Sequence, residues 1–158
     1  AKEMMRREIL AELEAFDAGM INYARYLIRK GLLEAPHYFN LILGNIACAQ
    51  ADLLHAGIMI RDLPPDSVWA IGGIGDSQIE MNTSAIAAGG GIMIGREDNI
   101  WFDRNRSRLA SNAYLLRSYH VVVEANERAV MKSAEFRSLL RLEPGDGRYG
   151  RRYPTAAE

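Results

Sequence analysis

Two adjacent carboxylates, Glu97 and Asp98, follow a short apolar run that ends at Gly95. A buried strand is expected to end at this glycine, and charge at such a place is costly unless the fold or the chemistry uses it. A partly buried pair of carboxylates binds a cation, accepts several hydrogen bonds or has a shifted pKa. The alternative is a solvated turn in which the side chain of Asn99 fixes the loop.

The composition is that of one soluble domain with a sizeable core. The chain has 158 residues, of which 49% are hydrophobic and 25% charged. Its net charge of −1 gives no general attraction to nucleic acid or to an anionic membrane, and no apolar run is long enough to span a bilayer. Cys48 is the one cysteine, so the sequence contains no internal disulfide and no cysteine metal cluster. These features predict a cytoplasmic protein.

The elements that position the carboxylates alternate between strands and helices. Residues 1–9 have the pattern of the end of a helix, and period-two alternation from Glu12 predicts the first strand, with Glu12 and Glu14 on one face. Apolar runs bounded by glycine and proline predict three further strands, and amphipathic patterns predict the helices between them. The predicted strands cover 38–43, 68–75 and 92–95, and the predicted helices cover 21–30, 49–60, 77–88, 109–130 and 133–140.

This alternation predicts an α/β fold with a parallel sheet. Four strand–helix units form half of a (β/α)8 TIM barrel, which takes about 250 residues when complete. The sequence therefore predicts a C-terminal half-barrel over residues 1–143, with a small open four-stranded sheet as the alternative. Residues 144–158 are rich in Gly, Arg and Pro and are predicted to form a flexible tail.

Five segments, in order along the chain, resemble successive motifs of the β-keto acid cleavage enzyme family, which includes the 3-keto-5-aminohexanoate cleavage enzyme-like proteins. They are residues 12–20, Leu41-Ile42-Leu43-Gly44, residues 69–75, Gly95-Arg96-Glu97-Asp98-Asn99 and Leu109-Ala110-Ser111-Asn112-Ala113. Each motif alone is weak, but five in order are specific.

The resemblance implies a zinc-dependent (β/α)8 barrel that condenses a β-keto acid with acetyl-CoA and splits the adduct to acetoacetate and a new acyl-CoA. This chain would supply strands five to eight with their helices and would begin near the fourth helix. The implied partners are a small β-keto acid, a CoA ester, and either further copies of the chain or the other half of the barrel, with no nucleic acid and no membrane.

The resemblance also implies roles for three carboxylates. Glu97 resembles a zinc ligand that works with a His-x-His pair, and that pair would lie outside this sequence because His37, His55 and His120 lack ligand spacing. Asp98 resembles the general base that forms an enolate. Glu14 resembles a strand-five glutamate of the same proton-handling group. Glu12 has the same parity and is the alternative match, and a structural carboxylate paired at a barrel end is the other interpretation of Glu14.

The chain departs from the family pattern at Met93, where an arginine is usual. Parity places Met93 on the barrel interior, where a methionine cannot stabilise an enolate charge. Two further hypotheses therefore stay open, one enzymatic and one structural. One is a variant carbon–carbon lyase or hydrolase with altered chemistry, and the other is a non-catalytic half-barrel that forms part of a larger assembly.

The CoA ester has two candidate contacts. Gly73 and Gly75, at the exit of the third strand, can present main-chain N–H groups to a phosphate, and Arg106 in a later loop can pair with a phosphate or a carboxylate. The alternatives are tight strand-to-helix packing for the glycines and a solvated loop for the arginine. Asp76 also departs from the family, which often has a basic residue there.

Overall fold

The structure, a computed structural model, describes residues 1–142. The predicted flexible tail over 144–158 lies outside the described residues. Within those 142 residues, no helix combines the length and apolar character that crossing a membrane requires.

The described chain alternates short strands with helices, as the sequence pattern predicts. The strands are β1 (Glu12–Ala15), β2 (His37–Leu43), β3 (Ser67–Gly73) and β4 (Gly91–Ile92). The helices are α1 (Lys2–Arg6), α2 (Ala18–Arg29), α3 (Leu53–Asp62), α4 (Gln78–Ala87), α5 (Asn112–Ala125) and α6 (Ser133–Leu139), and a 3₁₀ turn (Gly75–Ser77) precedes α4.

The four strands form one sheet in the order β1-β2-β3-β4, and every neighbouring pair is parallel. Because right-handed crossovers between strands in sequential order all pass over the same side of a sheet, the connecting helices cover one face. The predicted parallel α/β fold is therefore confirmed. Sequential parallel strands with helices on one side also fit half of a (β/α)8 barrel.

The two faces of the sheet differ in character because successive side chains of a strand point to opposite sides. On the helix side, Phe39, Leu41 and Ile71 are buried in a core with Met59 of α3 and Met81 of α4. The other face carries a cross-strand row of different chemistry. That row is Glu14, Asn40, Ala70 and Gly91, which are register partners across the four strands.

β3 and β4 approach each other closely at Trp69. A Cβ atom added at Gly90 would overlap the indole ring, so only glycine fits at the entrance to β4. Arg128, which follows α5, donates hydrogen bonds to the carbonyl oxygens of Ile86, Gly89 and Gly90 at 2.7 to 3.1 Å. Arg128 therefore provides hydrogen-bond donors at the carboxyl end of α4, where helix carbonyl oxygens have no intrahelical partner.

Several predicted boundaries were wrong, and local hydrogen bonds explain them. α2 begins at Ala18 because the Asp17 side chain accepts from the N–H of Met20, which ends the β1 pattern early. α5 was predicted from 109 but begins after Ser111, whose hydroxyl accepts from the N–H of Tyr114 and so caps the helix. Leu109 lies in the preceding loop, where it bridges Trp101.

β4 was predicted over 92–95 but covers only Gly91–Ile92. It ends before its neighbour does: Gly91 and Ile92 pair with Ala70 and Ile71, whereas β3 continues to Gly73. The chain therefore leaves the ladder after Ile92. Residues 93–95 are therefore held by other contacts.

The burial of His37, at the amino end of β2, should make the stability of the protein sensitive to acid. The residue is 6% exposed, and burial lowers its pKa, an effect that the negative charge of Asp66 partly offsets. The unfolded chain, with a histidine pKa of about 6.5, then binds more protons than the folded chain below that pH. We expect the free energy of unfolding to fall as the pH is lowered from about 7 to about 5.

Urea unfolding at a series of pH values measures this effect. His37→Gln should reduce the acid-dependent fall, whereas His120→Gln, at an exposed position on α5, should leave it unchanged. Equal pH dependence in the wild type and in His37→Gln would contradict the assignment.

Candidate active site

The predicted carboxylate pair lies in the loop that follows β4. Gly95 is buried, Glu97 is exposed and Asp98 is partly buried. Glu14 lies on β1, next to its last residue. In parallel α/β folds the carboxyl ends of the strands and the loops after them form the functional edge. The three predicted carboxylates therefore belong to the edge where a site is expected.

Asp98 has an unusual electrostatic environment. Burial raises its pKa, and the negative charges of Glu97 and Glu14 raise it further. One carboxylate oxygen, Oδ2, is buried and accepts no hydrogen bond among the described residues. The structure thus brings Glu14, Glu97 and Asp98 together, and it leaves one oxygen of Asp98 available to a proton or to a donor group.

Glu12 and Glu14, the two alternative matches on β1, have different surroundings. The Glu12 carboxylate accepts a hydrogen bond from the side-chain amide of Asn40. Burial raises the pKa of the neighbouring Tyr38, and the charge of Glu12 raises it further. Glu14 is the one of the two whose charge acts on Asp98. The electrostatic effect on Asp98 therefore favours Glu14 over Glu12 as its partner, and the catalytic role of Glu14 stays a prediction.

The main chain around the pair is fixed by hydrogen bonds from several elements. The N–H of Gly75 donates to the Asp98 carbonyl oxygen at 2.8 Å, and the N–H of Arg96 donates to Oδ1 of Asn112 at 3.2 Å. Asn99 accepts from the N–H of Trp101 at 3.0 Å, so its predicted role in fixing the loop is confirmed.

Sequence reasoning missed two residues of this region, Gln78 and Asn82. Their side-chain amides donate to the carbonyl oxygens of Gly95 and Met93, each at 3.0 Å. The available signal was a pair of amides four residues apart, because that spacing places both on one face of a helix.

Met93 lies on the sheet face opposite the helices, as strand parity predicts. A Cβ atom added at Gly72 would lie 3.3 Å from the Cβ of Met93, and Gly72 itself lies beside Ile42 on that face. Within residues 1–142, no cationic side chain forms an ion pair with Glu97 or Asp98.

The two glycines predicted to contact CoA have structural explanations. A Cβ atom at Gly73 would lie 2.5 Å from the carbonyl oxygen of Ser77, so glycine allows the close approach of β3 to the 3₁₀ turn. Gly75 has a φ of +60°, which favours glycine, and its N–H is bound to Asp98. Packing and turn geometry therefore account for both positions, and their contact with CoA stays a prediction.

Arg106, the third predicted CoA contact, pairs with Asp76 at 3.3 Å, and both side chains are exposed. Arg104 of the same loop pairs with Glu80 of α4 at 2.5 Å. The acidic residue at position 76 is thus matched by an arginine 30 residues later. Exposed pairs of this kind contribute little to stability, so Arg106 can exchange Asp76 for another anion.

The described residues do not form a complete metal site. No group of three or more His, Cys, Asp and Glu side chains within 1–142 is arranged to hold a metal. His37 lies at the amino end of β2, and Nδ1 of His55 is bound to Asp52 at 2.8 Å. Glu97 is exposed and has no ion pair or hydrogen bond among the described residues. The donor set therefore fits one ligand of a metal site and not a whole site.

Comparison with known proteins places these observations in a family context. A family model described as beta-keto acid cleavage enzyme matches residues 1–142. A 3-keto-5-aminohexanoate cleavage enzyme of Fusobacterium nucleatum is 34% identical over 104 residues, which cover 65% of this chain and 37% of that protein. A 3-dehydrocarnitine:acetyl-CoA trimethylamine transferase of Rhizobium meliloti is 30% identical over 142 residues, which cover 90% of this chain and 47% of the relative.

A third relative, a 3-oxoadipate:acetyl-CoA acetyltransferase of Cupriavidus necator, is 31% identical over 145 residues, which cover 90% of this chain and 51% of the relative. The chain thus spans about half the length, or less, of these curated relatives.

Proposed function

Because the chain belongs to the beta-keto acid cleavage enzyme family, we propose that it forms part of an enzyme that cleaves a β-keto acid with acetyl-CoA as co-substrate. The products would be acetoacetate and a new acyl-CoA. The observation that carries the proposal is the group of Glu14, Glu97 and Asp98, in which Asp98 has a buried oxygen that receives no hydrogen bond from residues 1–142. Such a group can accept a proton from a carbon acid.

The proposal includes a barrel of which this chain forms half. The sequential order of four parallel strands supports it, and so does the row of Glu14, Asn40, Ala70 and Gly91 on the face that helices do not cover. The other strands would come from outside these residues, on the same polypeptide or on a second chain. A complete barrel would enclose that row and shield the carboxylates from water.

Asp98 would act as the general base, which removes the proton next to the keto group to form an enolate. Glu14 acts on Asp98 electrostatically and would take part in the same proton transfer. The N–H of Gly75 binds the carbonyl oxygen of Asp98, and the side chain of Asn112 binds the N–H of Arg96, so both fix the main chain of the segment that contains Asp98.

Glu97 would provide one ligand to a Zn²⁺ ion, with the remaining ligands outside this sequence. Glu97 is exposed and forms no ion pair in the described region, which supports its role as one ligand of a site completed by other residues. When bound, Zn²⁺ polarises a carbonyl oxygen and so stabilises the enolate charge.

We expect Glu97→Ala to abolish zinc retention in the full-length protein. The wild type should retain about one Zn²⁺ per barrel after gel filtration, because catalytic zinc sites have three protein ligands and the loss of one weakens the site strongly. Elemental analysis measures the metal directly and does not depend on turnover. Glu124→Ala, at an exposed position on α5, is the matched control and should keep the metal. Full retention of zinc in Glu97→Ala would remove Glu97 from the ligand set.

Met93 favours a second candidate function, a carbon–carbon lyase or hydrolase with altered chemistry. An apolar side chain lies on the face that carries Glu14, in the region where a cation would help to stabilise an enolate. Consumption of a β-keto acid in the absence of acetyl-CoA would support this candidate over the first.

A further inference from the structure

The segment after β4 is held by side chains in place of a strand. β4 ends at Ile92 although β3 continues to Gly73, and the N–H of Met93 makes the last main-chain bond between the two segments, at 2.9 Å to the carbonyl oxygen of Ile71. Beyond that point, the carbonyl oxygens of Met93 and Gly95 accept from Asn82 Nδ2 and Gln78 Nε2, each at 3.0 Å. The amide pair (the side chains of Gln78 and Asn82) therefore replaces the ladder beyond Ile92.

Burial makes these contacts specific. Gln78 is 1% exposed and Asn82 is 0% exposed, so neither amide has water as an alternative partner. Both lie on one face of α4, four residues apart. Tyr119 of α5 donates from its hydroxyl to the main-chain carbonyl of Gln78 at 3.2 Å and so ties the start of α4 to a second helix.

The same segment carries the candidate catalytic carboxylates. Gly95 lies two residues before Glu97 and three before Asp98, and its carbonyl oxygen also accepts from the N–H of Asn99 at 3.4 Å. Moving Gly95 therefore moves both ends of the turn that bears the two carboxylates. A displacement of about 1 Å in such a group costs about 10²-fold in rate.

We infer that Gln78 and Asn82 are positioning residues: their amides fix the main chain at residues 93–95 and thereby orient Glu97 and Asp98. Neither residue touches the reacting atoms. The effect on turnover rests on the proposed function, whereas the effect on the main chain does not.

Two nearly isosteric variants without donors, Gln78→Met and Asn82→Leu, test the inference. Residue-resolved hydrogen exchange in the full-length protein should show at least tenfold faster exchange at the amides of Gly75, Arg96 and Asn99. The amides of β2 should exchange at the wild-type rate, since both side-chain amides donate to residues 93 and 95 and not to that strand. Where the protein turns over a β-keto acid, kcat should fall at least tenfold while KM changes less than twofold.

Arg128→Met is the control, because it removes hydrogen bonds at the carboxyl end of the same helix and at Gly90, and none to residues 93–99. It should leave exchange at Arg96 and Asn99 unchanged. If Asn82→Leu fails to fold, Gln78→Met, which removes only the donor to Gly95, provides the same measurement.

The outcomes separate the inference from the proposed function. Unchanged exchange at Arg96 and Asn99 in both variants would overturn the inference. Faster exchange with unchanged kcat, in a protein whose wild type is active, would overturn the positioning role and leave the proposed function standing. A wild type without β-keto acid cleavage would overturn the proposed function, and exchange would still decide whether the amide pair fixes the segment.

Discussion

Replacement of Asp98 by Asn is expected to lower kcat of the full-length protein by about 10²- to 10⁴-fold, the range that a general base contributes. The amide has nearly the same shape as the carboxylate but cannot take a proton from the substrate. Acetyl-CoA-dependent turnover of a β-keto acid measures the effect. An Asp98→Asn enzyme that keeps more than half of the wild-type kcat would exclude Asp98 as the base.

In metal-free protein, prepared with a chelator, Asp98→Asn should be more stable than the wild type. Burial and the charges of Glu97 and Glu14 all disfavour a negative charge at Asp98, so a neutral amide removes that repulsion. Asp103→Asn is the contrasting control. Its carboxylate accepts from the N–H groups of Ser107 and Arg108 at 3.2 and 2.9 Å, and its loss should lower stability. Lower activity with higher stability would identify Asp98 as a residue kept for chemistry at a cost to the fold.

The largest loss of stability is expected from Gly73→Ala. The added Cβ would lie 2.5 Å from the Ser77 carbonyl oxygen, 2.8 Å from the Ser77 carbonyl carbon and 2.9 Å from the Cα of Gln78. All three are main-chain atoms, so the backbone must move, at a cost of about 1–3 kcal/mol or more. The shift would also displace Gln78, and kcat should fall together with stability. Urea unfolding and turnover of the same preparation measure both.

Gly57→Ala is the matched control for Gly73→Ala. Gly57 lies inside α3, and a Cβ atom there would meet no atom within 4 Å. Alanine in a helix interior is favoured over glycine by about 1 kcal/mol, so this variant should be more stable than the wild type. Stability changes of the same sign in the two variants would contradict the packing explanation of Gly73.

Local patterns predicted the sheet well where burial is complete. The apolar runs in β2 and β3 identify strands buried in a parallel sheet, and alternation from Glu12 places Glu14 on the face away from the core. β4 was predicted three residues too long at its end, because the carbonyl oxygens of Met93 and Gly95 are bound by side-chain amides of α4 and not by a strand. Those donors lie 11 and 17 residues earlier in the chain and leave no local pattern near Gly95.

The candidate site shows the same division between local and distant information. Glu97 and Asp98 could be found because two adjacent charges after an apolar run conflict with burial. Gln78 and Asn82 were missed despite their spacing, since polar residues on one face of a helix usually indicate its solvated face. The pairing of Arg106 with Asp76 was equally hidden, because no local rule joins two residues that lie 30 positions apart.

The close packing of Trp69 at the entrance to β4 gives the protein an optical property. The sequence contains two tryptophans, Trp69 and Trp101, and they lie before and after the segment that carries Glu97 and Asp98. The indole ring of Trp69 packs against Gly90, whereas the main-chain N–H of Trp101 donates to the side chain of Asn99. Two single-tryptophan forms would therefore report separately, by intrinsic fluorescence, on how firmly each flank of this segment is held.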